Sequence, residues 1–176
     1  MKIDFEKIGL IAAYLACNTE KPYVTKLFKL FYYIDFIAYA QRGASVTGDT
    51  YYKLPYGPVP TCIKNEIDLL SSDSILEKDH KSQFIKFIEL KADADKFGRI
   101  VVSKMADENI DKKLSTSEIQ LVREVAKHFS KSTAKELSNK THKEKPWLLS
   151  SSNAPIDYAL AKELDIESIL PALAGK

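Results

Sequence analysis

VTKLFKLFYYIDFIAYAQRGASVTGDTYYKLPYGPVPTCI, residues 24–63, joins the most apolar segment of the chain to a loop rich in glycine, proline and tyrosine. The apolar side chains of its first part recur at helical spacing over most of a helix circumference: Val24, Leu27, Phe28, Leu30, Phe31, Tyr33, Ile34, Ile37 and Ala38. A helix that is apolar on nearly all sides is buried from several directions. The pattern therefore predicts a core helix from Tyr23 to about Arg42, ended by Gly43 as a left-handed cap.

The second part, Gly43 to Pro60, holds three of the six glycines and three of the seven prolines. Such residues mark turns, which we expect at Thr47-Gly48-Asp49 and at Tyr56-Gly57-Pro58. Tyr51, Tyr52 and Tyr56 also lie in this segment. A flexible linker does not usually carry so much aromatic surface, so the sequence predicts an ordered loop.

Asp35 is the titratable residue in the most unusual place, because it falls within the apolar arc of the core helix. A carboxylate there needs hydrogen-bond partners or a position at the edge of a pocket. We interpret Asp35 as an acceptor for the following loop, which it would pin to the helix. The alternative is a catalytic acid, but no second carboxylate or nucleophile is placed to work with it.

The rest of the chain predicts further helices at about Asp4–Cys17, Val59–Leu70 and Pro155–Leu164. Ser115 with Glu118 and Thr133 with Glu136 have capping-box spacing and predict two more helix starts. Residues 83–90 and 99–102 favour strands and predict a hairpin. The fold class expected is mainly α: a compact domain of about six helices with a small antiparallel β-hairpin.

Composition excludes several classes of protein. The net charge is +2, and Lys and Arg alternate with Asp and Glu, so a nucleic-acid partner is not indicated. Cys17 and Cys62 have no ligand spacing and are expected to be buried, which argues against a metal site or a redox motif. No apolar run approaches the roughly 20 residues of a membrane span, and the first residues resemble no signal peptide. We expect a cytoplasmic protein without a cofactor.

Chemistry-bearing motifs are scarce, since no phosphate-binding loop, nucleophile elbow or dinucleotide fingerprint occurs. We therefore expect no enzymatic activity and no catalytic residues. Tyrosine is enriched at protein interfaces, and for Tyr51, Tyr52 and Tyr56 a contact surface and a half-buried core position are equally open. The candidates for partner binding or loop anchoring are Asp35, Thr47, Gly48, Asp49, Tyr51, Tyr52, Tyr56, Gly57 and Pro58.

Residues 24–63 resemble the signature of the Panacea domain, first known from SocA-like antitoxins and from proteins labelled phage-associated. The resemblance lies in Lys26–Tyr32 (KLFKLFY), Thr47-Gly48-Asp49 and Tyr56-Gly57-Pro58-Val59, and again in Leu114-Ser115 to Glu118 and Ser138–Trp147 (SNKTHKEKPW). It extends over about 5–150, and it implies a single domain over 1–176.

The resemblance also implies a function: the antitoxin of a toxin–antitoxin pair, which neutralises its toxin by direct protein binding. The alternative from the same family is a proteolytic adaptor that delivers the bound toxin to a host protease. Two further hypotheses stay open, a small enzyme that uses Asp35 and the loop tyrosines, and a DNA-binding regulator. The partner expected is a toxin encoded by a neighbouring gene.

Overall fold

The computed structural model describes residues 3–71, 81–93, 98–105 and 107–173. Its α-helices are α1 Phe5–Asn18, α2 Val24–Arg42, α3 Thr61–Ser71, α4 Thr116–His128, α5 Ala134–Thr141, α6 Lys145–Leu149 and α7 Ile166–Ile169. Its strands are β1 Tyr51–Leu54, β2 Gly57–Pro60, β3 Ile88–Ala92 and β4 Arg99–Ser103. Short 3-10 helices cover Asp107–Lys112, Tyr158–Glu163 and Pro171–Leu173. The mainly α fold expected from the sequence is confirmed.

The core helix is α2, which packs against α4, α5, β2 and the 3-10 helix Tyr158–Glu163. Tyr32 and Tyr33 in its middle have no exposed surface. Gly43 ends the helix with φ +74°, and its amide donates to the Tyr39 carbonyl at 2.8 Å. A side chain disfavours this left-handed conformation, which explains the glycine.

The helix starts follow the capping signals. Both capping boxes form: Ser115 and Thr133 each accept from the backbone of the glutamate three residues on, and that glutamate binds back to the cap residue. In α1 the Asp4 side chain accepts from the Lys7 amide. Each cap satisfies amides that a helix leaves without intrahelical partners.

Two antiparallel hairpins are present among the described residues, β1–β2 and β3–β4. Only the second was predicted, and its first strand begins at Ile88 and not at Gln83. Residues 83–87 form turns instead, because Phe84, Phe87 and Ile88 are buried at helical spacing while Ile85 is 48% exposed. The Ile88 amide accordingly donates to the Phe84 carbonyl at 3.0 Å.

Two other predicted boundaries are wrong. The helix expected from Val59 begins at Thr61, because residues 57–60 pair with β1. The helix expected over 155–164 is a 3-10 helix that starts at Tyr158, since the backbone from 153 to 156 bonds to β1.

The cysteines depart from expectation as well: Cys17 is exposed and Cys62 is half-buried. Cys17 lies near the end of α1, away from the face that packs on the core. Among the residues that the structure describes, no helix combines the length and apolar character that crossing a bilayer requires.

Candidate functional site

Asp35 is fully buried on α2 and accepts four hydrogen bonds from the segment that follows the helix. Its Oδ1 accepts from the amides of Val46 and Thr47, both at 2.8 Å. Its Oδ2 accepts from Thr47 Oγ1 at 2.5 Å and from the Tyr51 hydroxyl at 2.7 Å. Burial raises the pKa of Asp35 to about 6, although the four donors oppose that rise. This geometry is that of an anchor for the loop.

Asp49 performs the corresponding task for α3. Its side chain is fully buried and accepts from the amides of Cys62 and Ile63, both at 2.9 Å. These are two of the amides at the N-terminus of α3 that have no intrahelical partner. Thr47 binds α2 through Asp35, and Asp49 caps α3. Gly48, between Thr47 and Asp49, has φ +76°. The Thr47-Gly48-Asp49 motif thus joins two helices.

The hairpin β1–β2 turns at Pro55 and Tyr56, with Leu54 opposite Gly57. Proline at the second position and glycine at the fourth are favoured by a type I turn. Gly57 has φ +102°, and a Cβ there would lie 2.7 Å from Lys29 Cε and 2.9 Å from Thr141 Oγ1. A side chain is therefore excluded by conformation and by space.

Lys29 of α2 binds the β2 strand of the hairpin. Its side chain has no exposed surface, and its Nζ donates to the Pro58 carbonyl at 2.9 Å. Desolvation lowers the pKa of Lys29 to about 7. Ser138 of α5 donates to the Tyr56 carbonyl at 3.0 Å, so the turn is also fixed from its other side.

The three loop tyrosines have different environments. Tyr51 has no exposed surface and lies edge-on to Tyr32, Phe36 and Tyr158 in the core. Tyr52 is half-buried and bridges to Pro155. Tyr56 is 77% exposed at the tip of the hairpin. Of the nine candidate residues, all within the described part of the chain, Tyr56 presents by far the most side-chain surface to a partner.

The segment 142–147 contributes residues that the sequence analysis did not assign to the site. His142 stacks on Trp147 with ring centroids 4.2 Å apart, and Lys53 Nζ of β1 lies 4.1 Å from the Trp147 ring centroid. Glu144 accepts from the Tyr33 hydroxyl at 2.8 Å, and burial raises the pKa of Glu144 to about 7. The resemblance of Ser138–Trp147 to the family's closing segment was the one signal that pointed here.

Two clefts flank the hairpin tip. The larger, here called the tip cleft, measures about 500 Å³ and lies between the hairpin and α5; it is lined by Thr25, Tyr56, Ala134, Lys135, Ser138, Asn139 and His142. The smaller measures about 180 Å³ and lies on the side of Trp147 and Lys53. Within the described ranges, no three His, Cys, Asp or Glu side chains are grouped as a metal site requires. The arrangement exposes Tyr56 between two clefts, on a hairpin that hydrogen bonds hold to α2 and α5.

The anchoring by Asp35 can be tested by substitution. Asp35→Ala leaves four buried donors without their acceptor, so we expect a loss of roughly 3 kcal/mol or more in the free energy of unfolding. Asp35→Asn keeps an acceptor for the Val46 and Thr47 amides and should lose less. Urea denaturation of both variants measures the difference, and an unchanged free energy of unfolding for Asp35→Ala would contradict the anchoring.

The state of Lys29 predicts a pH dependence. An unfolded lysine has a pKa near 10.4, so between about pH 7 and pH 10 the unfolded chain holds a proton that folded Lys29 has lost. The contribution of Lys29 to stability therefore rises with pH over this window. The free energy of unfolding of Lys29→Met should rise less with pH than that of the unmodified protein. Lys162 is exposed, so Lys162→Met serves as the control and should show the same rise as the unmodified protein.

Urea unfolding at pH 7 and at pH 9 measures the change in the free energy of unfolding for the unmodified protein and for both variants. Lys26, whose pKa burial lowers to about 8, adds a similar contribution that all three proteins share. An identical rise in Lys29→Met and in the unmodified protein would contradict the assigned state of Lys29.

Comparison with known proteins supports the resemblance seen in the sequence. The family described as antitoxin SocA-like, Panacea domain, matches residues 27–148, which run from α2 through the hairpin to α6. No curated protein and no solved structure gave a match. The matched residues include Asp35, the loop that it anchors, the hairpin tip and the His142–Trp147 stack. Because they make up well over half of the chain, this protein belongs to the SocA-like antitoxin family that carries the Panacea domain.

Proposed function

We propose that this protein is an antitoxin that neutralises a cognate toxin by direct protein–protein binding and not by catalysis. The observation that carries the proposal is the exposed Tyr56 on an immobilised hairpin, in a chain of an antitoxin family. The toxin is made in the same cell, so the proposal includes a cytoplasmic location.

Immobilisation of the hairpin favours binding. The carbonyls of Tyr56 and Pro58 accept from Ser138 and Lys29, and Lys53 Nζ donates to the Ser150 carbonyl at 2.9 Å. A surface that is ordered before it meets its partner loses less conformational entropy on association. Tyrosine adds contact area with few rotatable bonds, which is why it often dominates interface energies.

The environment of Asp35 supports binding over catalysis. Its carboxylate has no exposed surface, and both oxygens accept two hydrogen bonds from the protein's own backbone and hydroxyl groups. A general acid or base must come within hydrogen-bond reach of a substrate proton. Asp35 would first have to release the loop.

The proposal predicts the behaviour of the neighbouring gene. Its product should arrest growth when it is expressed by itself, and co-expression of this chain should restore growth and yield a complex that co-purifies. The control carries an early stop codon in this chain, which keeps the DNA and removes the protein. A harmless neighbour, or rescue without a complex, would contradict the proposal.

The same experiment distinguishes direct neutralisation from the alternative, in which this protein is a proteolytic adaptor. Direct neutralisation leaves the toxin level unchanged and works equally well in a host that lacks its cytoplasmic proteases. Rescue that disappears in such a host, with a toxin level that rises there, would replace direct neutralisation by delivery to a protease.

A further inference from the structure

Glu144 is an acid that packs against two tyrosines of α2 and forms no ion pair with the residues that the structure describes. Its Oε1 accepts from the Tyr33 hydroxyl at 2.8 Å. Its Oε2 and the nearby Tyr32 hydroxyl are both buried, and neither has a hydrogen-bond partner in the described ranges. A carboxylate with one hydrogen bond and little water is disfavoured in its charged form, and burial raises the pKa of Glu144 to about 7. Beside the tyrosines, the neutral acid is therefore the favoured form.

Glu144 also lines a surface cleft of about 330 Å³ between α5, α6 and α7. The other charged side chains of this cleft come from three parts of the chain: Lys140, Lys143, Lys145, Glu163 and Asp165. Asp165 already accepts from the amide and the hydroxyl of Ser168. None of the three lysines forms an ion pair with a described residue. An ionised Glu144 would regain water and meet positive charge in this cleft, so the two forms of the carboxyl favour different places.

We propose that Glu144 is a proton-dependent latch for the segment 142–147. As the neutral acid, its carboxyl stays beside Tyr32 and Tyr33 and holds the segment on α2. When it loses its proton to the solvent, the carboxylate turns into the cleft, where water and the lysines stabilise it, and the segment loses this contact with α2. The inference goes beyond the proposed antitoxin function, because it concerns a conformational change of this chain without a partner.

The segment contains its own optical probe, because Trp147 is the single tryptophan of the chain. Its ring stacks on His142 with centroids 4.2 Å apart, and Lys53 Nζ lies 4.1 Å from its centroid. Both neighbours affect the emission of an indole ring. Since Glu144 lies between His142 and Trp147 in the chain, a turn of Glu144 shifts the stack and changes the fluorescence. Lys53 belongs to β1, so the same movement reaches the hairpin.

Tryptophan fluorescence of the purified chain, recorded as a function of pH, tests the latch. We expect the emission of the unmodified chain to change with a midpoint near pH 7, where Glu144 ionises. Glu144→Gln stays neutral and keeps an acceptor for the Tyr33 hydroxyl, so it should hold the low-pH emission throughout. The far-UV circular dichroism of each variant confirms that it is folded. An unmodified chain without a transition, or an equal transition in Glu144→Gln, would overturn the inference.

Two other titrating groups near the stack need matched controls. Burial lowers the pKa of Lys29 to about 7, and burial followed by the charges of Lys29 and Lys53 lowers the pKa of His142. Lys29→Met removes the first group, and His142→Phe removes the second while it keeps a ring against Trp147. Each variant should retain the transition near pH 7. Loss of the transition in either folded variant would assign the signal to that group and not to Glu144.

Tyr33→Phe distinguishes movement of the carboxyl from ionisation in place. In the latch, the Tyr33 hydroxyl binds only the inner, neutral form, so its loss should lower the midpoint by roughly half a pH unit or more. If the carboxylate instead stayed beside α2, loss of a donor to the charged form would raise the midpoint. A midpoint that rises or does not move would therefore overturn the latch. Toxin binding enters none of these measurements, so their failure would leave the proposed antitoxin function standing.

Discussion

The buried carboxylate of Asp35 is the constraint on which the rest of the fold depends. A charge inside the core is tolerated when its hydrogen bonds are satisfied, and here every donor comes from the loop that follows α2. Displacement of the loop would leave a carboxylate exposed to an apolar core. The helix and the loop therefore stabilise each other, and Asp35 fixes the loop at Val46, Thr47 and Tyr51.

A second buried polar side chain on the same helix fixes the other end of the segment. Lys29 and Asp35 are six residues apart, or about 9 Å along the helix axis. Asp35 holds the start of the loop, and Lys29 holds the hairpin through the Pro58 carbonyl. The turn between β1 and β2 thus projects from α2 with both ends anchored. Lys29 and Ser138 hold the backbone on either side of the turn, and the Tyr56 side chain is left exposed at its tip. The buried side chains of α2 thus position the surface that we propose for toxin binding.

The sequence predicted the parts of this arrangement that depend on local signals. Capping boxes such as Ser115 with Glu118 act within one turn, and Asp35 stood out against an apolar arc, so their roles could be expected. The hairpin β1–β2 could not, because Pro58 and Pro60 disfavour a strand and β1 is completed by the distant residues 153–156. Nor could composition separate buried Tyr51 from exposed Tyr56, since the pairing of the strands decides which one faces the core.

Amide hydrogen exchange of the free, unmodified chain tests the central claim most directly. The amides of Val46 and Thr47, which Asp35 binds, and those of Cys62 and Ile63, which Asp49 binds, belong to one anchored unit with α2. The account predicts that all four exchange as slowly as the amides in the middle of α2, through the same rare opening. Exchange of the Val46 and Thr47 amides at the rate of exposed backbone, with α2 still protected, would contradict it.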